Sequence, residues 1–518
     1  METFYLFLRH HPLFFTGFFL SVFLAAVFLG VRFYRGSPDL EAVERRLLGT
    51  LPAGALVLAF LFFHKIAASV AAPYNWTRLQ RTFLLAHGEK LYYPPDGPVV
   101  LAMYGPLSAL VYWPATWMCS LSSAMHTAAL INSALFLLPV LWVCFGIPSG
   151  DRRSRLYGIA AFIIFSYFPF TTSSLRSAAF NVHADAPALG FAALACAAVC
   201  LRKGKPGPAA LALSALSTVA AFWSKQVTAP LFLAILSNLW LRGQRRESGT
   251  YLAFLVFFAA AVSGIFFKIF GFQNLWFNLV TIPSHQPWIS ASRSQALLSA
   301  VTKLFHESFF VFLFAAVVFI SSGRAVKHKP WFLFGWTALF MLPAAIIAKL
   351  KVGGASNVFC YVPYFLLLAA VSALAELNNQ GRLKRFTNLV LFSFLAVQTI
   401  LLVYKFTAPP LETNYAQAAY EYVKKHPGRG YFPRLTLVHL LAEDKVYHES
   451  VALIDRRWAG IPVGPSQLRA FIPARAQFIA FHEATGDDRH WLDLPEYSVK
   501  SSEPELPGFA VYSRQAAG

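Results

Sequence analysis

Charge is scarce in this chain. Only 13% of its 518 residues are charged, against 57% that are hydrophobic. That balance excludes an ordinary soluble globular protein, and apolar runs recur along the first four-fifths of the sequence. Acidic groups are scarcer still: 24 Asp+Glu stand against 44 Lys+Arg, a formal net charge of +20. In a soluble chain that excess would point to nucleic acid. Here most of it falls in short loops between apolar runs. Topology and anionic lipid account for it, and no nucleic-acid partner is expected. The five cysteines (Cys119, Cys144, Cys196, Cys200, Cys360) lack metal-like clustering. Cys196 and Cys200 lie one helical turn apart in an apolar run, which is the spacing of packing residues. No internal repeat is visible, which weighs against the paired half-repeats of many transporters. The first apolar run, about Pro12 to Phe33, lacks a small-residue cleavage site and reads as a retained helix.

What is present is a series of membrane spans. Candidates fall at 12–33, 50–72, 126–147, 157–173, 186–201, 208–223, 227–241, 251–271, 306–323, 331–349, 357–376 and 387–405. The expected fold is an all-α polytopic membrane bundle of about 12 transmembrane helices with a small C-terminal α/β extracytoplasmic domain. The bundle would occupy residues 1–405, with a first outer loop at about 73–125, and the α/β domain residues 406–518. The basic stretches Asp151–Arg155, Arg202–Lys205, Arg242–Arg246, Arg324–Lys329 and Arg382–Arg385 alternate onto one side, the cytoplasmic one by the positive-inside rule. The opposite side receives the loop from Tyr74, the Thr171–Asp185 segment, the Ser224–Gln226 turn, the Gln273–His306 loop, Leu350–Asn357 and the tail. Val99–Trp117 is apolar but would swap every later loop if it crossed. It is expected to be a juxtamembrane or re-entrant helix braced by Pro106 and Pro114.

Ionisable groups at membrane depth are costly, so those on the outer side are the candidate site. The opening loop carries Asn75, Arg78, Arg81, His87, Glu89, Lys90 and Asp96; alternatively it is an interfacial helix and a Pro-rich turn. Asn181–Pro187 holds His183 and Asp185, the only acidic residue between Asp151 and Glu247. Asp185 can equally be a simple helix cap. Lys225 sits in a tight turn, where it can meet a lipid phosphate or snorkel to the interface. Lys349–Asn357 is a glycine-rich loop opening a helix, a place where backbone N–H groups suit anions. Together these groups suit a ligand with an anionic head and an apolar tail.

In order and sidedness these motifs resemble those of the GT-C superfamily of integral-membrane glycosyltransferases, near the bacterial protein mannosyltransferases and aminoarabinose transferases. Gly88–Tyr92 and Tyr104–Leu107 look like elements of that family's first outer loop. Asp185 is similar to its second acidic motif, Trp223–Gln226 to its lysine turn and Gly353–Asn357 to its late Gly/Asn element. The resemblance implies inverting transfer of a sugar from a polyprenyl-phosphate donor to a glycan, lipid or protein acceptor at the outer face, in a bacterial inner membrane. It makes Asp185 and Glu89 the available catalytic carboxylates and Lys225, Arg176 and Lys351 the phosphate ligands. His183, Asn75, Tyr92, Tyr104 and Asn357 complete the substrate-binding set. No cofactor is assigned, and a divalent metal stays open. One position departs from the family: Asn75 or Thr77 stands where an acidic residue is usual, and neither is a base at neutral pH. A flippase or an inactive scaffold for lipid-linked glycans is therefore the alternative.

Overall fold

The structure, a computed structural model, describes residues 40–146, 152–201, 204–289, 292–322, 329–379, 414–482, 492 and 494–515. The spans expected at 12–33 and 387–405, and the domain boundary near Lys405, lie outside the described residues. Twelve helices of the bundle are used below: α1 (Leu40–Ala67), α2 (Pro73–Ala86), α3 (Leu121–Gly146), α4 (Arg152–Thr171), α5 (Ser173–Phe180), α6 (Asp185–Cys200), α7 (Pro208–Ser224), α8 (Leu231–Leu241), α9 (Arg245–Phe270), α10 (Arg293–Ser322), α11 (Pro330–Leu350) and α12 (Tyr361–Asn379). Six helical segments among the described residues are long and apolar enough to cross a bilayer, or up to seven if α4 and α5, bent by 103°, form one span. The chain is thus an integral membrane protein, and three shorter apolar helices, including α6 and α7, complete the bundle.

Burial sorts these helices. The Ser356–Leu374 span is 89% buried and the Arg245–Phe270 span 6%. The α12 span therefore runs through the centre, while α9 shows Phe257, Ile265 and Ile269 at the periphery, where lipid replaces protein as the apolar solvent. Helices α6 and α7 pack closely and antiparallel, joined by a short turn. That brings the first residue of α6 beside the last residues of α7, which is what positions the site. Gly190 of α6 lies against α3, where an added Cβ would stand 2.5 Å from the Leu135 carbonyl oxygen.

The tail forms a small α/β unit, as its alternating apolar segments suggest. Helices α13 (Tyr415–Lys425), α14 (Thr436–Glu443), α15 (Ser450–Trp458) and α16 (Pro465–Ala470) accompany strands β1 (Gly430–Tyr431), β2 (Phe478–His482), β3 (Val499–Ser501) and β4 (Phe509–Ser513). Sheet order is β1-β2-β4-β3, with β1 parallel to β2 and the other pairs antiparallel. The Asn414 side chain caps α13 by accepting from the Gln417 N–H at 3.2 Å.

Two expectations change. Val99–Trp117 is not one helix: an extended Val99–Met103 stretch leads to the single turn Leu107–Leu110 and a 3-10 turn Trp113–Trp117. The tail pairs with the backbone at its start. The Val99 N–H donates to His448 Nδ1 and the Leu101 N–H to Glu449 Oε2, both at 2.9 Å, and the Glu449 N–H donates to the Val99 carbonyl at 2.8 Å. The 273–306 loop is also largely helical, since α10 begins at Arg293.

Candidate functional site

Three buried side chains fix the segment that enters α6. Asn132 Nδ2 of α3 donates to the Ala178 and Ala179 carbonyls at 2.9 and 3.0 Å. The Tyr112 hydroxyl lies 2.7 Å from Asn132 Oδ1 and 2.8 Å from the His183 carbonyl. Asn75 joins the same segment to the opening loop: its Nδ2 donates to the Ser69 carbonyl at 2.9 Å and its Oδ1 accepts the Val182 N–H at 2.9 Å. Thr77, the other residue at the departing position, is buried with its Oγ1 3.5 Å from the Arg434 carbonyl of the tail.

Asp185 is fully buried at the centre of the site. Lys225 Nζ donates to Oδ1 at 2.5 Å and the Tyr361 hydroxyl to the same oxygen at 3.0 Å. Asn357 Nδ2 donates to Oδ2 at 2.6 Å, and His183 Nδ1 lies 2.7 Å from Oδ2 and 3.3 Å from the Asp185 backbone nitrogen. Both carboxylate oxygens are therefore engaged. Four sequence-identified residues, Asp185, His183, Lys225 and Asn357, meet here. Tyr361 was missed, although its place one turn after Asn357 at the start of α12 is a helical same-face signal.

Tyr104 forms the wall beside this cluster. Its ring lies edge-on to His183 at 5.2 Å, with Lys225 Nζ 5.2 Å and the Arg78 guanidinium carbon 4.9 Å from its centroid. Such contacts are favourable for cations. Arg81 supports the wall: it donates to Ser108 Oγ and the Tyr104 carbonyl, both at 2.8 Å. Tyr92 is part of this support, donating to the Tyr104 carbonyl at 2.6 Å. Among the described residues Arg78 Nε and Nη1 are buried without a hydrogen-bond partner. Lys225 and Arg78 thus share the Tyr104 ring, and Arg78 Nε and Nη1 are unused. An anionic group fits that arrangement.

The other candidates lie apart. Glu89 accepts from the Tyr93 hydroxyl at 2.9 Å on the turn after α2. Arg176 of α5 donates to the Phe170 carbonyl at 2.9 Å, within electrostatic reach of Lys65. Lys351 donates to the Ser284 and Gln286 carbonyls at 3.0 and 2.7 Å and lies over Trp288. None of these three shares a hydrogen bond or ion pair with the Asp185 cluster among the described residues.

The tail adds two acidic groups that sequence reasoning missed. Glu449 and Asp455, at the start and middle of α15, are both buried and within electrostatic reach of Arg78. Burial pushes the Glu449 carboxyl up to about 8, with the Leu101 N–H and Arg78 opposing it. Burial likewise pushes Asp455 up to about 7 against the pull of Arg78. An acidic residue in an amphipathic stretch gives no sign of such a neighbourhood. Among the described residues no group of three His, Cys, Asp or Glu side chains converges as metal ligands would, and the Lys225 ammonium sits on Asp185.

The sequence matches no family profile and no curated protein. Solved structures do resemble it. ArnT from Cupriavidus metallidurans bound to undecaprenyl phosphate aligns with a TM-score of 0.55 at 12% identity, over 90% of this chain and 98% of that one. The Archaeoglobus fulgidus oligosaccharyltransferase in its apo form aligns at 0.46 and 13% identity, over 91% and 74%. The same organism's AglB with an inhibitory peptide and a dolichol-phosphate aligns at 0.43 and 13%, over 89% and 74%. Over nearly the whole of both chains, this protein shares its fold with that ArnT.

Proposed function

We propose that this protein transfers a sugar from a polyprenyl-phosphate donor to an acceptor at the outer face of the membrane. The observation that carries the reading is that Arg78, with Nε and Nη1 unpaired, and Lys225 both lie on the Tyr104 ring, in a bundle that resembles the ArnT complexed with undecaprenyl phosphate. In such a transfer the acceptor nucleophile bonds to the anomeric carbon as the bond from that carbon to the phosphate oxygen breaks. Charge then grows on the departing polyprenyl phosphate, and fixed cations lower the barrier most when they face that oxygen. Arg78 and Lys225 are suited to this. Asp185, with both oxygens engaged, holds Lys225, Asn357 and Tyr361 in place and has no free lone pair directed at a substrate proton.

The test is undecaprenyl-phosphate binding by the purified full-length protein in nanodiscs, alongside release of polyprenyl phosphate from a panel of labelled lipid-linked sugars. Arg78→Ala should weaken binding by about 10- to 100-fold, the worth of charge-assisted hydrogen bonds. Arg176→Ala and Lys351→Ala should bind as wild type does. Equal binding by Arg78→Ala and wild type would remove Arg78 from the site. Wild type that binds the lipid but consumes no donor would leave the scaffold or flippase.

A further inference from the structure

One buried stretch of chain joins the tail to the candidate site. Val99–Met103 runs extended. Val99 and Leu101 lie in the tail core with Tyr431, Leu453 and Ile479, whereas Ala102 packs with Tyr92 of the opening loop and Trp223 of α7. Resting on the transferase reading above, we propose that His448 and Glu449 of the tail are positioning residues for the donor phosphate. They fix this stretch, and with it the Tyr104 ring that Arg78 and Lys225 share.

The start of the stretch is fastened by three hydrogen bonds. Val99 and Leu101, two residues apart on extended backbone, present their N–H groups to the same side. His448 Nδ1 accepts the first and Glu449 Oε2 the second, and the Glu449 N–H returns a bond to the Val99 carbonyl. His448 Nε2 lies 3.1 Å from the Gln467 carbonyl, which can only accept, so the ring proton sits on Nε2 and Nδ1 is left as the acceptor. Both side chains are buried, so an N–H that loses its partner here has no water to turn to.

The other end of the stretch meets the site. Gln226, the residue after Lys225, directs its Nε2 to the Met103 carbonyl at 3.5 Å. Gln286 Nε2 approaches Met103 Sδ at 3.7 Å while donating to Asp455 Oδ1 of α15 at 3.3 Å, a second tie from the tail. Tyr104 comes next, its carbonyl held by Arg81 and Tyr92 and its ring by Arg78 and Lys225. Leu101 and Tyr104 are three residues apart, about 10 Å of extended chain with no turn between them to absorb a shift. Release of the Leu101 end therefore moves the Tyr104 ring away from the two cations, which meet one phosphate only while both keep to that ring. Tail docking and lipid-phosphate binding are then linked, and each strengthens the other by the same factor. A different tie, Asn414 Nδ2 to Ser122 Oγ at 2.7 Å, joins the tail to α3 and not to this stretch.

The experiment measures undecaprenyl-phosphate affinity of the full-length protein in nanodiscs, at a temperature below the unfolding transition of every variant. Glu449→Leu, with no acceptor for the Leu101 N–H, should weaken affinity by at least about fivefold. Glu449→Gln keeps an acceptor and should bind within about twofold of wild type. Asn414→Ala removes the α13 cap and the α3 tie, so it should lower the unfolding temperature and leave affinity within about twofold. In wild type, saturating undecaprenyl phosphate should slow hydrogen exchange of the Leu101 and Glu449 amides more than that of the α13 amides, a readout that depends on no variant. Equal affinity of Glu449→Leu and wild type, an equal loss in Asn414→Ala, or equal slowing of both sets of amides overturns the proposal and leaves the transferase reading standing. Wild type that neither binds the lipid nor consumes a labelled donor overturns both.

Discussion

Asn75 carries the main residue-level lesson. An acidic residue is usual at Asn75 or Thr77 in the family the sequence resembles, and the Asn75 amide does what a carboxylate cannot: it donates to the Ser69 carbonyl while accepting the Val182 N–H. Asn75→Asp would set a carboxylate oxygen against a carbonyl in a buried place. It should destabilise the protein by about 1–3 kcal/mol, the cost of an unsatisfied buried polar group, and should not raise transfer. Thermal unfolding and donor turnover of the variant check both halves. An active, more stable Asn75→Asp protein would show that the position still belongs to the chemistry.

At the scale of elements, the site depends on how the opening loop meets α7. Gly105 is the point of closest approach: an added Cβ would stand 1.9 Å from the Trp223 carbonyl oxygen. No rotamer relieves a clash with backbone, so the loop must move away from the turn that carries Lys225. Because Tyr104 is the next residue, its ring would leave Lys225 and Arg78 together. Gly105→Ala should therefore cost about 1–3 kcal/mol and lose lipid-phosphate binding. Gly249→Ala, with nothing within 4 Å of the new methyl, is the control and should behave as wild type. Unfolding temperature and undecaprenyl-phosphate affinity measured on both variants decide it; an unaffected Gly105→Ala would mean the loop is not seated on α7.

For the whole molecule, the notable result is that the tail and the opening loop share one apolar core. Trp76, Leu79 and Phe83 of α2 pack in the same cluster as Tyr422, Phe432 and Phe478. Glu449 ties the two parts by hydrogen bonds in both directions. Its carboxyl is raised to about 8, above its ordinary value of 4.5, so the folded state binds its proton more tightly than the unfolded chain. Its contribution is therefore fully present below about 4.5 and is lost as pH rises toward 8. Glu449→Gln stays neutral and can still accept the Leu101 N–H. It should be more stable than wild type at pH 9 by an amount on the order of a few kcal/mol, and so unfold at a higher temperature, with the difference vanishing near pH 4. Melting curves across that range test it, and identical pH slopes would separate Glu449 from the docking. Asp455, raised in the same direction, should leave a residual slope below about 7 in both proteins.

The sequence alone determined the membrane class, most of the apolar helices among the described residues and the mixed α/β tail, and it singled out Asp185, His183, Lys225 and Asn357. These were legible because hydropathy sets spans, and because an ionisable residue in an apolar chain is conspicuous wherever it falls. Tertiary structure alone decided which polar residues meet. Glu89 stood beside Asp185 as a candidate carboxylate, and Arg176 and Lys351 beside Lys225 as candidate phosphate ligands, yet Glu89 meets the Tyr93 hydroxyl, Arg176 the Phe170 carbonyl and Lys351 the Ser284 and Gln286 carbonyls. Arg78 and Asp455, far apart in the chain, are brought within electrostatic reach by the docked tail. Hydropathy is a local property of a segment, whereas pairing across the site depends on close approaches such as Gly105 at the Trp223 carbonyl. Those approaches exist only once the helices, loop and tail are packed together.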